Sequence, residues 1–167
     1  MTGTAVIDAI KRLRLYLTTN VAVAPYASLA EWVFTNPQEE LENKAPNDGT
    51  DAGKYFVTIF SDYAPGLQEL GDSETWTQIF ITLRIGVRYN PMNVDGKEKE
   101  NADTFYHYVE RHLRSMDFRA YMGAAGVKTA PRHVVDAAQL GFDMDHIGMR
   151  VYVLRMELWV YLSTTIT

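Results

Sequence analysis

One stretch, Asp72 to Pro91, limits the fold of this chain more than any other part of the sequence. It reads DSETWTQIFITLRIGVRYNP, and its odd positions from Ile79 to Tyr89 are apolar while polar residues interrupt the even positions. An alternation with period two predicts a β-strand with one face in the core and the other against water or a partner. Arg84 and Arg88 share that second face with Phe80, and we expect both arginines to be exposed there.

Apolar spacing predicts two helices elsewhere in the chain. The first carries the stripe Val6, Ile10, Leu13 and Leu17, with Thr4 as a candidate N-cap. The second carries the stripe Ala102, Phe105, Val109, Leu113 and Met116, with Glu110 and Arg114 four residues apart on a more polar side.

Further strands are predicted before and after these helices. They are Glu31–Thr35, Lys54–Tyr63, Arg132–Leu140 and a long final strand that begins at Arg150. On the final strand, Tyr152, Leu154, Met156, Leu158, Val160 and Leu162 share one face, and Val151, Val153, Arg155, Glu157, Trp159 and Tyr161 share the other. Two polar stretches, Asn36–Gly53 and Gly141–Met149, are predicted to be loops, and the first of them to be exposed.

This order of elements predicts an α+β fold with a mostly antiparallel β-sheet and helices packed on one face. A chain of 167 residues, of which 47% are hydrophobic, is the size of one domain with a real core. We therefore expect a single domain over residues 1–167.

The charge and residue content exclude several classes of protein. A net charge of −5 argues against non-specific clamping of nucleic acid, which needs a clustered positive surface. The sequence contains no cysteine, which excludes disulfides and thiolate zinc sites and fits a reducing cytoplasm. The amino terminus lacks the apolar run of a signal peptide, and no segment approaches the length of a membrane helix, so we expect a soluble protein without membrane contact.

Short motifs that suggest chemistry are better explained as turns or surface residues. The stretch GTDAGK, Gly49 to Lys54, misses the phosphate-loop spacing and leads into a strand. His107 and His112 are five residues apart, which points them to different helix faces. GAAG (123–126) and DMDH (143–146) are typical of turns. We expect no enzyme activity, no cofactor and no metal.

The remaining candidate is a surface of the sheet. Arg84 and Arg88 on one long strand, and Arg155, Glu157, Trp159 and Tyr161 on the other, combine aromatic rings with arginines. This mixture is typical of protein interfaces. These six residues are our candidate assembly interface.

The order of elements resembles the tail terminator proteins of long-tailed bacteriophages, particularly the lambda type. As in that family, an acidic-Thr-Trp triplet, here Glu74, Thr75 and Trp76, opens a long alternating strand that ends near a proline. An amphipathic helix follows, and a loop rich in aspartate and glycine (141–149) precedes the final strand. The similarity covers the first helix and the chain from Lys54 onward, whereas residues 21–53 and 123–139 have no counterpart.

The resemblance implies a structural virion protein that assembles in the host cytoplasm as a hexameric ring at the neck of the phage. Such a ring stops polymerisation of the tail tube and provides the surface for head–tail joining. Its partners are the tail tube protein and head-completion or neck proteins. Six copies at −5 carry about −30, so DNA passes through the lumen without specific binding. The alternatives are another neck component and a cellular α+β domain that binds a small apolar ligand between helices and sheet.

Overall fold

Two strands of 15 residues form the centre of the sheet. The computed structural model describes residues 2–35, 54–62, 68–69, 75–89, 97–129, 134–135 and 148–162. The two long strands are β4 (Thr75–Tyr89) and β7 (Gly148–Leu162). They pair antiparallel over their full length, from Thr75 opposite Leu162 to Tyr89 opposite Gly148. The strand predicted from the alternating stretch is confirmed.

Shorter strands flank this pair. They are β1 (Val33–Phe34), β2 (Tyr55–Asp62), β3 (Gln68–Glu69), β5 (Val127–Thr129) and β6 (Val134–Val135). The main path of the sheet runs β1-β2-β4-β7-β5, with β3 beside β4 and β6 beside β7. Only β1 and β2 pair in parallel among the strands that the structure describes. The sheet is therefore mostly antiparallel, as predicted.

Helical segments cover one face of the sheet. They are α1 (Thr2–Tyr16), α2 (Glu98–Leu113) and α3 (Met116–Gly123), together with a π-helical turn at Leu17–Val21 and a 3₁₀ turn at Ala27–Glu31. Arg12 of α1 holds α3 by donating hydrogen bonds from Nε and Nη2 to the Tyr121 carbonyl, at 2.9 and 2.6 Å. Within the described residues, no helix has the length and apolar character needed to cross a membrane.

The main core lies between these helices and one face of the sheet. The odd positions of β4 from Ile79 to Val87 are all buried, and they pack with Leu154, Met156, Leu158 and Val160 of β7. The core is completed by Leu13 of α1, Leu17 of the π-helical turn, and Phe105 and Val109 of α2. The α+β fold with helices on one face is confirmed.

The ends of the helices correct two details of the prediction. Thr4 lies within α1, so it does not cap the start of that helix. Met116 is not on the buried stripe of α2, because that helix ends at Leu113 and Ser115 caps a new helix by accepting a hydrogen bond from the Phe118 amide. Met116 therefore begins α3, where 72% of its surface is exposed.

Several predicted segments fall wholly or partly outside the described residues. They are the loop Asn36–Gly53, most of the loop Gly141–Met149 and most of the strand Arg132–Leu140, of which only Val134–Val135 is described.

Candidate assembly surface

The face of the sheet opposite the helices carries the predicted site residues. In the register of β4 and β7, Phe80 lies opposite Glu157, Thr82 opposite Arg155, and Gln78 opposite Trp159. Side chains of successive cross-strand pairs on one face are close neighbours. We call the group Phe80, Arg84, Arg155, Glu157 and Trp159 the sheet-face patch.

The sheet-face patch is partly open to solvent. Phe80 is 50% exposed, which is unusual for a phenyl ring in the middle of a sheet. Arg155 is exposed, whereas Arg84, Glu157 and Trp159 are half-buried. Arg84 and Arg155 interact with other groups of the chain. The patch therefore offers two aromatic rings beside charges of both signs, a combination suited to a protein partner.

Arg88 does not belong to this patch, which corrects the expectation that it is exposed. Only 5% of its surface is accessible. Its guanidinium carbon lies 4.3 Å from the centre of the Phe56 ring and 5.7 Å from that of Trp32. Its backbone amide donates to the Lys54 carbonyl at 2.7 Å. Arg88 is thus part of the interior of the domain and is not available to a partner on the surface.

The residues around Arg88 form a second, smaller core on the helix-free face. Phe34, Phe56 and Val151 are buried there, and Trp32 and Met149 pack against them. We call these residues with Arg88 the Arg88 stack. One signal in the sequence pointed to it, because β2 is apolar on both faces, with Phe56 and Phe60 at even positions and Val57 and Ile59 at odd ones. A strand of that kind is buried on both sides.

Gly86 makes the close packing of Phe56 possible. The two residues are direct cross-strand neighbours. A Cβ atom at position 86 would lie 2.3 Å from Cζ of Phe56, so the ring occupies the space that any larger residue would need. The glycine is therefore required by close approach of the ring to the backbone.

Tyr161 is two residues beyond Trp159 on β7, so its position is on the same face of the sheet, whereas both histidines are on α2. Tyr161 pairs with Trp76 near the end of β7. His107 is exposed and its Nδ1 lies 3.4 Å from Oε2 of Glu110. His112 is half-buried, and burial, followed by the charge of Arg111, lowers its pKa. No cluster of three potential metal ligands occurs among the described residues.

A cleft of about 330 Å³ lies on the helical side. It is lined by Tyr16, Asn20, Tyr108, Arg111, His112, Ser115 and Asp117. This cleft is separate from the space between helices and sheet, where core side chains such as Phe105, Leu13 and Leu83 have no exposed surface.

Comparison with known proteins adds no relative, since neither a family model nor a curated protein matches this sequence.

Proposed function

We propose that this protein is a structural virion protein that forms a hexameric ring at the head-proximal end of a phage tail tube. In that position it ends polymerisation of the tube and provides the surface for head–tail joining. The function is one of assembly, without catalysis and without a cofactor.

The order of elements is the observation that carries this proposal. The chain runs from α1 through β2 to the 15-residue strand β4, then through the amphipathic helix α2 to the 15-residue strand β7. The resemblance to lambda-type tail terminators implies the same sequence of elements. A long, fully paired two-stranded centre is a rigid support on which assembly surfaces can be displayed.

The sheet-face patch gives the proposal a physical basis. Trp and Arg are enriched among the residues that contribute most to protein interfaces. On this patch, Arg155 and Trp159 lie two residues on either side of Glu157, which pairs with Phe80. A cellular domain that binds an apolar ligand between helices and sheet has less support, because the side chains of that layer fill it. The cleft on the helical side is lined by charged and polar groups as well as tyrosines, which does not suit an apolar ligand.

The first experiment measures the mass of the purified native protein. A hexamer of 19.0 kDa chains has a mass of about 114 kDa, which analytical ultracentrifugation separates clearly from a monomer or dimer. Negative-stain images should show six-fold rings with an open centre. A monomer at all accessible concentrations, without tube protein present, would contradict the ring.

A second experiment separates a terminator from other neck components. Deletion of the gene in the phage that encodes it should give tails that grow beyond normal length, and a supplied copy should restore the length. A head-completion or joining protein predicts tails of normal length that lack attached heads.

A further inference from the structure

The cleft on the helical side of the sheet has no role in the proposed ring. Its volume of about 330 Å³ is within the range of small-molecule sites, which is about 300–1,000 Å³. The cleft lies where the end of α1, the π-helical turn, the last turns of α2 and the start of α3 meet. We call it the helical cleft.

Aromatic rings form one part of the lining of the helical cleft. The rings of Tyr108 and His112 lie 4.8 Å apart at an angle of 71°. Tyr108 also packs on Tyr26, with 4.9 Å between the ring centres, and Tyr16 packs on Phe118, also at 4.9 Å. Because each of these rings is held by another ring, the lining is preorganised to receive a further planar group.

Two polar side chains of the lining are held in place by the backbone. Asn20 belongs to the π-helical turn and donates from Nδ2 to the Tyr16 carbonyl at 3.2 Å. Ser115 donates from Oγ to the His112 carbonyl at 2.6 Å and accepts from the Phe118 amide at 3.1 Å. π-Helical turns are rare and occur frequently at functional sites. The turn and the Ser115 cap thus give the helical cleft a fixed shape.

One cation and one anion line the same cleft. They are Arg111 of α2 and Asp117 of α3, and both are exposed. Neither side chain makes a hydrogen bond or an ion pair with any residue in the described part of the chain. Burial, followed by the charge of Arg111, lowers the pKa of His112, so this ring adds no second positive charge at pH 7. The helical cleft therefore offers one positive and one negative group to a ligand.

This pair of charges restricts the ligand. A simple anion would be attracted by Arg111 and repelled by Asp117, and a simple cation would meet the reverse. A ligand that carries both charges can pair with both groups, and Arg is well suited to hold a carboxylate through two hydrogen bonds. The aromatic lining favours a ligand that also contains a planar ring.

We propose that the helical cleft binds a small aromatic zwitterion of the α-amino acid class. The carboxylate of the ligand pairs with Arg111, its ammonium group pairs with Asp117, and its ring packs against Tyr108 and His112. This inference uses none of the residues of the sheet-face patch and is independent of the proposed ring.

Three related probes test the two charged contacts separately by isothermal titration calorimetry on the native protein. They are L-tryptophan, tryptamine, which lacks the carboxylate, and indole-3-propionate, which lacks the ammonium group. Arg111→Gln should weaken binding of L-tryptophan and indole-3-propionate by about tenfold and leave tryptamine unchanged. Asp117→Asn should weaken L-tryptophan and tryptamine by about tenfold and leave indole-3-propionate unchanged.

The matched controls are Arg119→Gln and Asp8→Asn, which make the same chemical changes at exposed positions outside the helical cleft. Both should bind L-tryptophan like the native protein, and circular dichroism checks the fold of every variant. The absence of saturable L-tryptophan binding up to its solubility limit would overturn the proposal. It would also be overturned if tryptamine or indole-3-propionate bound the native protein as tightly as L-tryptophan, or if folded Arg111→Gln and Asp117→Asn bound all three probes like the native protein.

Discussion

Replacing Arg88 by glutamate should lower the free energy of unfolding of this domain more than any charge change on the exposed part of the same sheet face. The guanidinium is buried between two aromatic rings, at 4.3 Å from Phe56 and 5.7 Å from Trp32. A desolvated cation over aromatic faces stabilises a fold by about 1–2 kcal/mol, which the substitution removes. It also places a carboxylate against the negative faces of the rings, where water does not reach it.

The second contribution is larger. A carboxyl group at a buried site takes up a proton, and protonation of a glutamate at pH 7 costs about 3–4 kcal/mol from its ordinary pKa. Together the two effects predict a loss of about 4–6 kcal/mol, which is comparable to the whole stability of a marginal domain. Because the pKa of the introduced carboxyl group is raised in the folded state, part of the loss should be recovered as the pH falls from 7 towards 4.

Urea unfolding followed by circular dichroism measures this effect, with two matched controls. Arg88→Met keeps the aliphatic volume and introduces no carboxyl group, so it should destabilise the domain less than Arg88→Glu does. Arg155→Glu reverses an exposed charge on the same face and should cost about 1 kcal/mol or less. If Arg88→Glu unfolds within about 1 kcal/mol of the native protein at an unchanged urea dependence, Arg88 is not held in a buried stack and the reasoning fails.

Three further substitutions test other contacts of the fold. Gly86→Ala should lower the free energy of unfolding by about 1–3 kcal/mol, because the new Cβ would meet the buried Phe56 ring. Adding Phe56→Leu to the same chain should relieve part of that loss in a double-mutant cycle. Ser115→Ala removes the N-cap of α3 and should cost about 1 kcal/mol in thermal unfolding, whereas Ser115→Asp should cost less. Burial, followed by the charge of Glu110, raises the pKa of Tyr106 to about 12, so stability should fall between pH 10 and 12, and Tyr106→Phe should reduce that fall.

Periodicity was sufficient to predict which face of β4 is buried by the helices. The odd positions from Ile79 to Val87 all lie in the main core. The spacing along α2 was equally informative for Ala102, Phe105, Val109 and Leu113, all of which are buried. These predictions depend only on residues close in sequence, since the repeat of a strand or a helix decides which side chains share a side.

The errors arose where contacts between residues distant in sequence, or the positions of helix ends, decide whether a side chain is buried. Alternation places Arg88 on the second face, but it cannot show that Trp32 and Phe34, more than 50 residues earlier in the chain, cover that end of the face. Met116 continues the spacing of α2, but the Ser115 cap ends one helix and begins another. Candidate site residues on one strand are thus predicted together even when tertiary packing separates them.

Packing divides the helix-free face into two regions with different roles. At one end, Arg88 and Phe56 are part of a small core and contribute to the stability of the domain. Towards the other end of β4, Phe80 remains half exposed beside Glu157 of β7. Substitutions in the first region should therefore change unfolding, and substitutions in the second should change assembly without changing unfolding. Comparison of Arg88→Met with Glu157→Lys in both assays tests this division directly, because a uniformly solvated face predicts that neither substitution affects stability.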